Sequence, residues 1–379
     1  TLAQITVPLP SNVTLYLSDN SPSIAQLTAA DALVSGTLNY FSVSDTASNL
    51  AANVGNYIRD YIYVSAKADA TAAQLATIDG FTQGQVVVQD TAANLAASSN
   101  TWGSYQVYIS DTASLAQAVS IAGKTTSSIY VGLELSDALS QITAPLPANL
   151  ALSLYGPFPT IAQLTTLDAF ITGTFSYPGI RDTSANLVAN PGGYLSNYLY
   201  QVIITNASVT VADLATIDGF TTGKVVVSAS AADLAGAAGY GGYALQVETT
   251  PNSAQLAAIL TKTTGSISIN GTAADLVTLI TSPLPSNVHV HVYGGPTIAQ
   301  LAALDGFVTG DFLYFGITDT AANILANVGS YVNGYVGLTV TDPISPAQYA
   351  LIDALTQGAI NYTLTVSYTH LTLPTNREV

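Results

Sequence analysis

The chain has 379 residues, of which 49% are hydrophobic and only 8% charged, with a formal charge of −16. Its seven basic residues, Arg59, Lys67, Lys124, Arg181, Lys224, Lys262 and Arg377, are scattered, which excludes a face able to neutralise a phosphate backbone or an anionic membrane. Cysteine is absent, so disulfides, thiolate metal sites and cysteine nucleophiles are excluded, and no apolar run approaches the roughly 20 residues of a membrane span.

The sequence opens in mid-repeat: Leu2 to Pro8 matches Leu139 to Pro145, and there is no methionine, which makes an internal piece of a longer protein the expected reading. Pro8-Leu9-Pro10-Ser11-Asn12 returns as Pro145-Leu146-Pro147-Ala148-Asn149 and as Pro283-Leu284-Pro285-Ser286-Asn287. A helix is predicted to open at Ile24-Ala25-Gln26-Leu27 and to close at Gly36, where glycine would permit a left-handed backbone. Leu38 to Val43 is β-prone and partly alternating, which predicts a strand. Asp45 is then expected to cap a short helix over residues 46–52, its carboxylate accepting from unpaired N–H groups at the positive end of the helix dipole. Ala47, Leu50 and Ala51 form that helix's apolar stripe, and Asn53 to Asn56 turn the chain toward the next strand.

The same order recurs down the chain. Asp90, Asp111, Asp182 and Asp319 are further expected N-caps, and Asp45, Asp182 and Asp319 stand 137 residues apart. Ile161-Ala162-Gln163-Leu164 and Ile298-Ala299-Gln300-Leu301 repeat the opening of the first helix, and Gly84, Gly173, Gly223, Gly310 and Gly358 repeat its close. A second acidic series, Asp31, Asp79, Asp168, Asp218, Asp305 and Asp353, falls near helix C-termini. The dipole disfavours a negative charge there, so a hydrogen bond to the following loop is expected.

A strand and a short helix every ~23 residues, nested in three superrepeats (13–149, 150–287 and a truncated 288–366), predict an α/β fold. The expected form is a single elongated solenoid over residues 1–366, with a parallel sheet and right-handed crossovers. About sixteen coils at a strand spacing of ~4.8 Å would extend roughly 75 Å. The coils match leucine-rich repeats in length but lack their asparagine-containing consensus. Residues 367–379 have no counterpart in the earlier periods and resemble translated adapter read-through at the end of a metagenomic gene prediction; they are set aside as non-native.

At Asp90-Thr91-Ala92-Ala93-Asn94-Leu95-Ala96-Ala97 and its repeats the chain resembles bacterial secreted and cell-surface proteins built from Asp-Thr-Ala-x-Asn-Leu units, sometimes fused to calcium-binding nonapeptide repeats. The resemblance implies an extracellular or cell-surface location and a structural or adhesive role. The Gly-Gly-x-Gly-x-Asp loop that carries calcium in such fusions does not occur here, so no cofactor is implied.

Candidate chemistry is sparse. His289 and His291 alternate on one face of a predicted strand, as two ligands of a metal would. The equivalent positions are Thr14 and Tyr16, then Ala151 and Ser153, and no third ligand is apparent, so two solvated polar residues are expected. Among 22 tyrosines, Tyr40, Tyr61, Tyr63, Tyr105, Tyr108, Tyr130, Tyr198 and Tyr200 fall in or beside strands. They could stack on sugar rings or, more plainly, brace the sheet. The expected function is a structural or adhesive segment of a large exported protein, without enzymatic activity. A glycan-binding face and a polysaccharide-acting enzyme are the alternatives; the latter would need a cluster of acids that breaks the repeat. Unpaired strand edges at the two ends predict end-to-end self-association.

Overall fold

A computed structural model describes residues 8–17, 21–196 and 199–364; Tyr198 and the stretch 367–379 lie outside them. Helices of six to eight residues alternate with strands of two to six, and every strand pairing is parallel, which makes this an α/β repeat fold. The chain divides into two compact units, Thr1–Pro178 and Gly179–Val379.

In the first unit Thr14–Tyr16 pairs with Thr37–Asn39. Ser42–Asp45, Tyr63–Ala66, Val86–Asp90 and Gln106–Ile109 form a four-stranded sheet, and Ile129–Glu134, Leu150–Tyr155 and Phe175–Ser176 a three-stranded one. In the second unit seven strands, from Gly179–Asp182 to Phe312–Tyr314, pair in chain order, followed by a three-stranded sheet of Gly316–Asp319, Gly337–Val340 and Ile360–Asn361. Two of the sheet changes fall where one coil's extended segment is interrupted: Tyr40-Phe41 separates Thr37–Asn39 from Ser42–Asp45, and Phe315 separates Phe312–Tyr314 from Gly316–Asp319. The boundary between the units falls one period from each of these breaks.

The helices are too short to persist alone; burial of one apolar stripe holds them. Ala47–Ala52 buries Ala47 and Leu50, and Ala92–Ala97 buries Ala92 and Leu95. Each such leucine contributes about 1.5–3 kcal/mol. Larger anchors recur about one period apart. Trp102 and Tyr240 are fully buried, and they donate to the carbonyls of Ala70 (3.0 Å) and Ala207 (2.9 Å), more than thirty residues earlier.

Two expectations about local chemistry are corrected. The side chain that caps each helix belongs to the residue after the aspartate: Thr46, Thr91, Thr183 and Thr320 are the N-caps, and their hydroxyls accept from the N–H groups of Asn49, Asn94, Asn186 and Asn323. After Asp111 the cap is Ser114, in a reciprocal capping box with Gln117. Aspartate stands too early to reach that N–H and takes other donors.

The closing glycines are likewise not left-handed. A Cβ on Gly36, Gly84, Gly173, Gly223, Gly310 or Gly358 would lie 2.0–2.4 Å from a carbonyl oxygen of the preceding coil. Only a bare α-carbon lets successive passes approach so closely. At Gly84 and Gly358 a threonine two residues earlier completes the join: the hydroxyls of Thr82 and Thr356 donate to the carbonyls of Ile62 (2.8 Å) and Val336 (2.7 Å), and accept from the N–H groups of Gly84 and Gly358.

Candidate functional site

The acidic residues of the Asp-Thr-Ala-x-Asn unit lie at the joints between coils. One carboxylate oxygen of Asp319 accepts from the Thr320 N–H (2.8 Å) and the Asn323 amide (2.7 Å); the other accepts from the Ile298 N–H (2.9 Å), the first residue of the preceding coil's helix. Asp45 repeats this with Thr46, Asn49 and Ile24; Asp90 holds Thr91 and Asn94 in the same way, and its other oxygen accepts from the N–H of Ala68, in the turn that precedes the helix Ala72–Asp79. Asp182 holds Thr183 and Asn186 in the same way. Asp111 reaches back to the N–H of Ala92, the first residue of Ala92–Ala97.

Other side chains fill this role elsewhere. Asp69, Asn206, Thr249 and Asp342 accept from the leading N–H groups of the helices that begin at Ala47, Ser184, Ala231 and Ala321. Sequence reasoning missed these partners because each comes from the following coil, about 18–22 residues downstream. Burial alone would raise the Asp90 carboxyl. The hydrogen bonds from Asn94, Ala68 and Thr91 and the charge of Lys67 outweigh it and hold the group below its ordinary value.

At the opposite helix ends Lys124 donates to the carbonyls of Leu95 (3.0 Å) and Ala96, in the last turn of Ala92–Ala97, and Lys262 donates to the carbonyl of Ala237, the C-cap of Ala231–Gly236. A cation there complements the negative pole of the dipole. The second acidic series ends its helices as expected, and the main-chain carbonyls of Asp31, Asp168 and Asp218 accept from the loop N–H groups of Val34, Ile171 and Thr221, while the carboxylates of Asp31 and Asp305 find partners further along the chain. Asp31 accepts from the hydroxyl of Tyr57 (3.5 Å) and Asp305 from that of Tyr331 (3.1 Å), each 26 residues on. Burial, and then the charges of Asp79 and Asp218, raise the phenols of Tyr105 and Tyr243.

The tyrosines differ in exposure. Tyr40 is buried and donates to the Tyr57 carbonyl (2.8 Å), and its phenol is pushed up chiefly by that burial. Tyr105 is half-buried, and Tyr63, half-buried, lies on the sheet that also carries Tyr108. Tyr61, Tyr130 and Tyr200 are the well-exposed members of the set; Tyr61 adjoins the four-stranded sheet, Tyr130 the next sheet, and Tyr200 belongs to the second unit.

His289 and His291 do share one face of Val288–Tyr293, and Asp311 lies beside them, its carboxylate 3.0 Å from Nδ1 of His289. Burial and then the His289 charge lower the pKa of His291, against the opposing pull of Asp311. Among the described residues no group of three or more potential ligands is arranged to hold a metal. Arg181 pairs with Glu248, which also accepts from Ser228 (2.9 Å). Among the described residues no helix is long and apolar enough to cross a membrane.

One recessed stretch of sheet was not signalled by the tyrosine pattern. Over Gly316–Asp319, Gly337–Val340 and Ile360–Asn361 lies an open cavity of about 410 Å³. Gly316, Gly337 and Ala359 line it, followed along the strands by Thr318, Thr339 and Asn361. Phe315 and Tyr335, 81% and 82% exposed, stand where two of the three strands begin. No protein-family model matches the chain, and no curated protein is significantly similar to it.

Proposed function

We propose that the chain is a non-catalytic structural or adhesive segment of a large exported bacterial surface protein, its coils stacked in sequence order as one right-handed α/β solenoid. The observation that carries this reading is the use made of the recurrent polar residues. Asp, Asn, Thr and Lys at matching points of successive coils bond to helix ends and carbonyls of the neighbouring coil. Catalytic acids work as pairs tuned apart by different surroundings; a repeated acid in a repeated environment serves connection instead. Parallel pairing in chain order within each unit supports the stacking, and an acidic, cysteine-free, lysine-poor surface is suited to the exterior of a cell.

The test has two arms. Small-angle scattering should give a skewed distance distribution with a tail beyond roughly 75 Å, the length of sixteen strands stacked at ~4.8 Å. A symmetric distribution matching a compact body of radius of gyration about 21 Å would overturn the solenoid. Protease treatment of intact source cells should release fragments of this segment, whereas release only after lysis would overturn the surface assignment.

A further inference from the structure

We infer that the recessed face over Gly316–Asp319, Gly337–Val340 and Ile360–Asn361 is a binding groove for a neutral oligosaccharide. Unlike Gly358, where a Cβ would lie 2.4 Å from the Val336 carbonyl oxygen, Gly316 and Gly337 have ordinary room: the nearest atoms to an added Cβ are at 3.4 and 3.7 Å, and neither residue is left-handed. The backbone does not require glycine at either place, and glycine weakens a strand. What the missing side chains provide is access to the sheet surface.

The repeat supplies the control. Two periods earlier the same floor positions are Ser42, Tyr63 and Gln85, and the row beyond them is Ser44, Ser65 and Val87. There the floor is filled and its polar groups are engaged: Ser42 with Ser21, Ser65 with Gln89, and Gln85 with Gln106. In the second unit the floor becomes Gly316, Gly337 and Ala359, and the row becomes Thr318, Thr339 and Asn361. The side chains of these last three make no hydrogen bond among the described residues and line the cavity. Phe41 and Tyr61 correspond to Phe315 and Tyr335, so the exposed rings are common to both places while the open floor belongs to the second.

Chemistry selects the ligand class. Hydroxyl and amide groups in register across three strands, roughly 10 Å in all, match the hydroxyls of a short saccharide, and flanking aromatic rings offer faces for its C–H surfaces. No lysine or arginine occurs between Gly295 and Asn361, so the groove has no partner for a carboxylate or sulfate and the sugar is uncharged. The inference stands on this face alone and does not depend on whether the parent protein is exported.

The test is a titration of the whole chain, followed by NMR shifts of residues 316–361, with neutral gluco-, manno- and galacto-oligosaccharides. A uronic-acid oligosaccharide and a neutral peptide serve as comparators. At least one neutral sugar should bind with a Kd below about 10 mM. Gly337→Tyr, which restores the residue found two periods earlier, and Tyr335→Ala should each weaken binding about tenfold or more, with Tyr130→Ala unchanged and all melting temperatures preserved. If Gly337→Tyr lowers the melting temperature, Thr339→Val serves in its place. Absence of binding by every neutral sugar, preference for the uronate or the peptide, or undiminished binding by a folded floor-filling variant would overturn the proposal.

Discussion

The Asp-Thr-Ala-x-Asn unit is a wiring diagram in which each residue type has one task. Aspartate ties its own helix start to the preceding coil, threonine caps the helix, alanine fits a site with no exposure, and asparagine anchors the aspartate from one turn ahead. Removing the aspartate should therefore cost more than removing the formal cap. Asp319→Ala leaves three donors without their acceptor and is expected to lower stability by about 2–4 kcal/mol, against about 1 kcal/mol for Thr320→Ala. Urea unfolding of the two variants checks the order, and a larger loss for Thr320→Ala would refute it. Tyr240 gives a second expectation at this scale. Burial, reinforced by the charge of Asp233, raises its phenol to about 12. The neutral form is the one the fold retains, so the stability this group contributes is complete below pH 10 and is lost as pH rises from 10 toward 12. Tyr240→Phe should lose less stability than the parent over that interval, measured by denaturation at fixed alkaline pH.

At the scale of the element, the joins between coils depend on Thr-x-Gly as much as on the sheet ladder. Gly84→Ala would press a methyl group against the Ile62 carbonyl oxygen; a loss of roughly 3 kcal/mol is expected, high in the range for overpacking. Gly337→Ala, with free space at the Cβ position, should be neutral or stabilising by up to ~1 kcal/mol. Thermal melts of the pair separate a glycine that the backbone needs from one that it does not. The alternation of strand and helix, the period of 137 residues and the apolar stripe of Ala47 and Leu50 were all legible in the sequence, because each is a recurrence of residue types along the chain and requires no knowledge of which coils touch. The placement of the cap was off by one residue at Asp45, Asp90, Asp182 and Asp319 and by three at Asp111. The role of the closing glycines and the partners of Asp31 and Asp305 were also misjudged, because those contacts join residues about 20–26 positions apart in neighbouring coils. Which of the tyrosines are covered was not legible for the same reason: a strand pattern shows alternation but not burial, and Tyr40 is buried while Tyr61 is exposed.

At the scale of the molecule, unpaired edges matter. Thr14–Tyr16 and Ile360–Asn361 each pair on one side only among the described residues, and an open parallel edge is a template for another strand. Concentration-dependent association is expected in sedimentation velocity, and a strictly monomeric profile at high concentration would refute it. A directional consequence follows from the bonds that run backward along the chain. The leading N–H of Ile298 waits for Asp319, that of Ala321 for Asp342, and that of Ala47 for Asp69. A polypeptide emerging N-terminus first thus closes these helices only after the next coil has appeared. Growth of the array resembles knitting, in which every new row locks the loops of the one before it and the latest row is always the one that can still unravel.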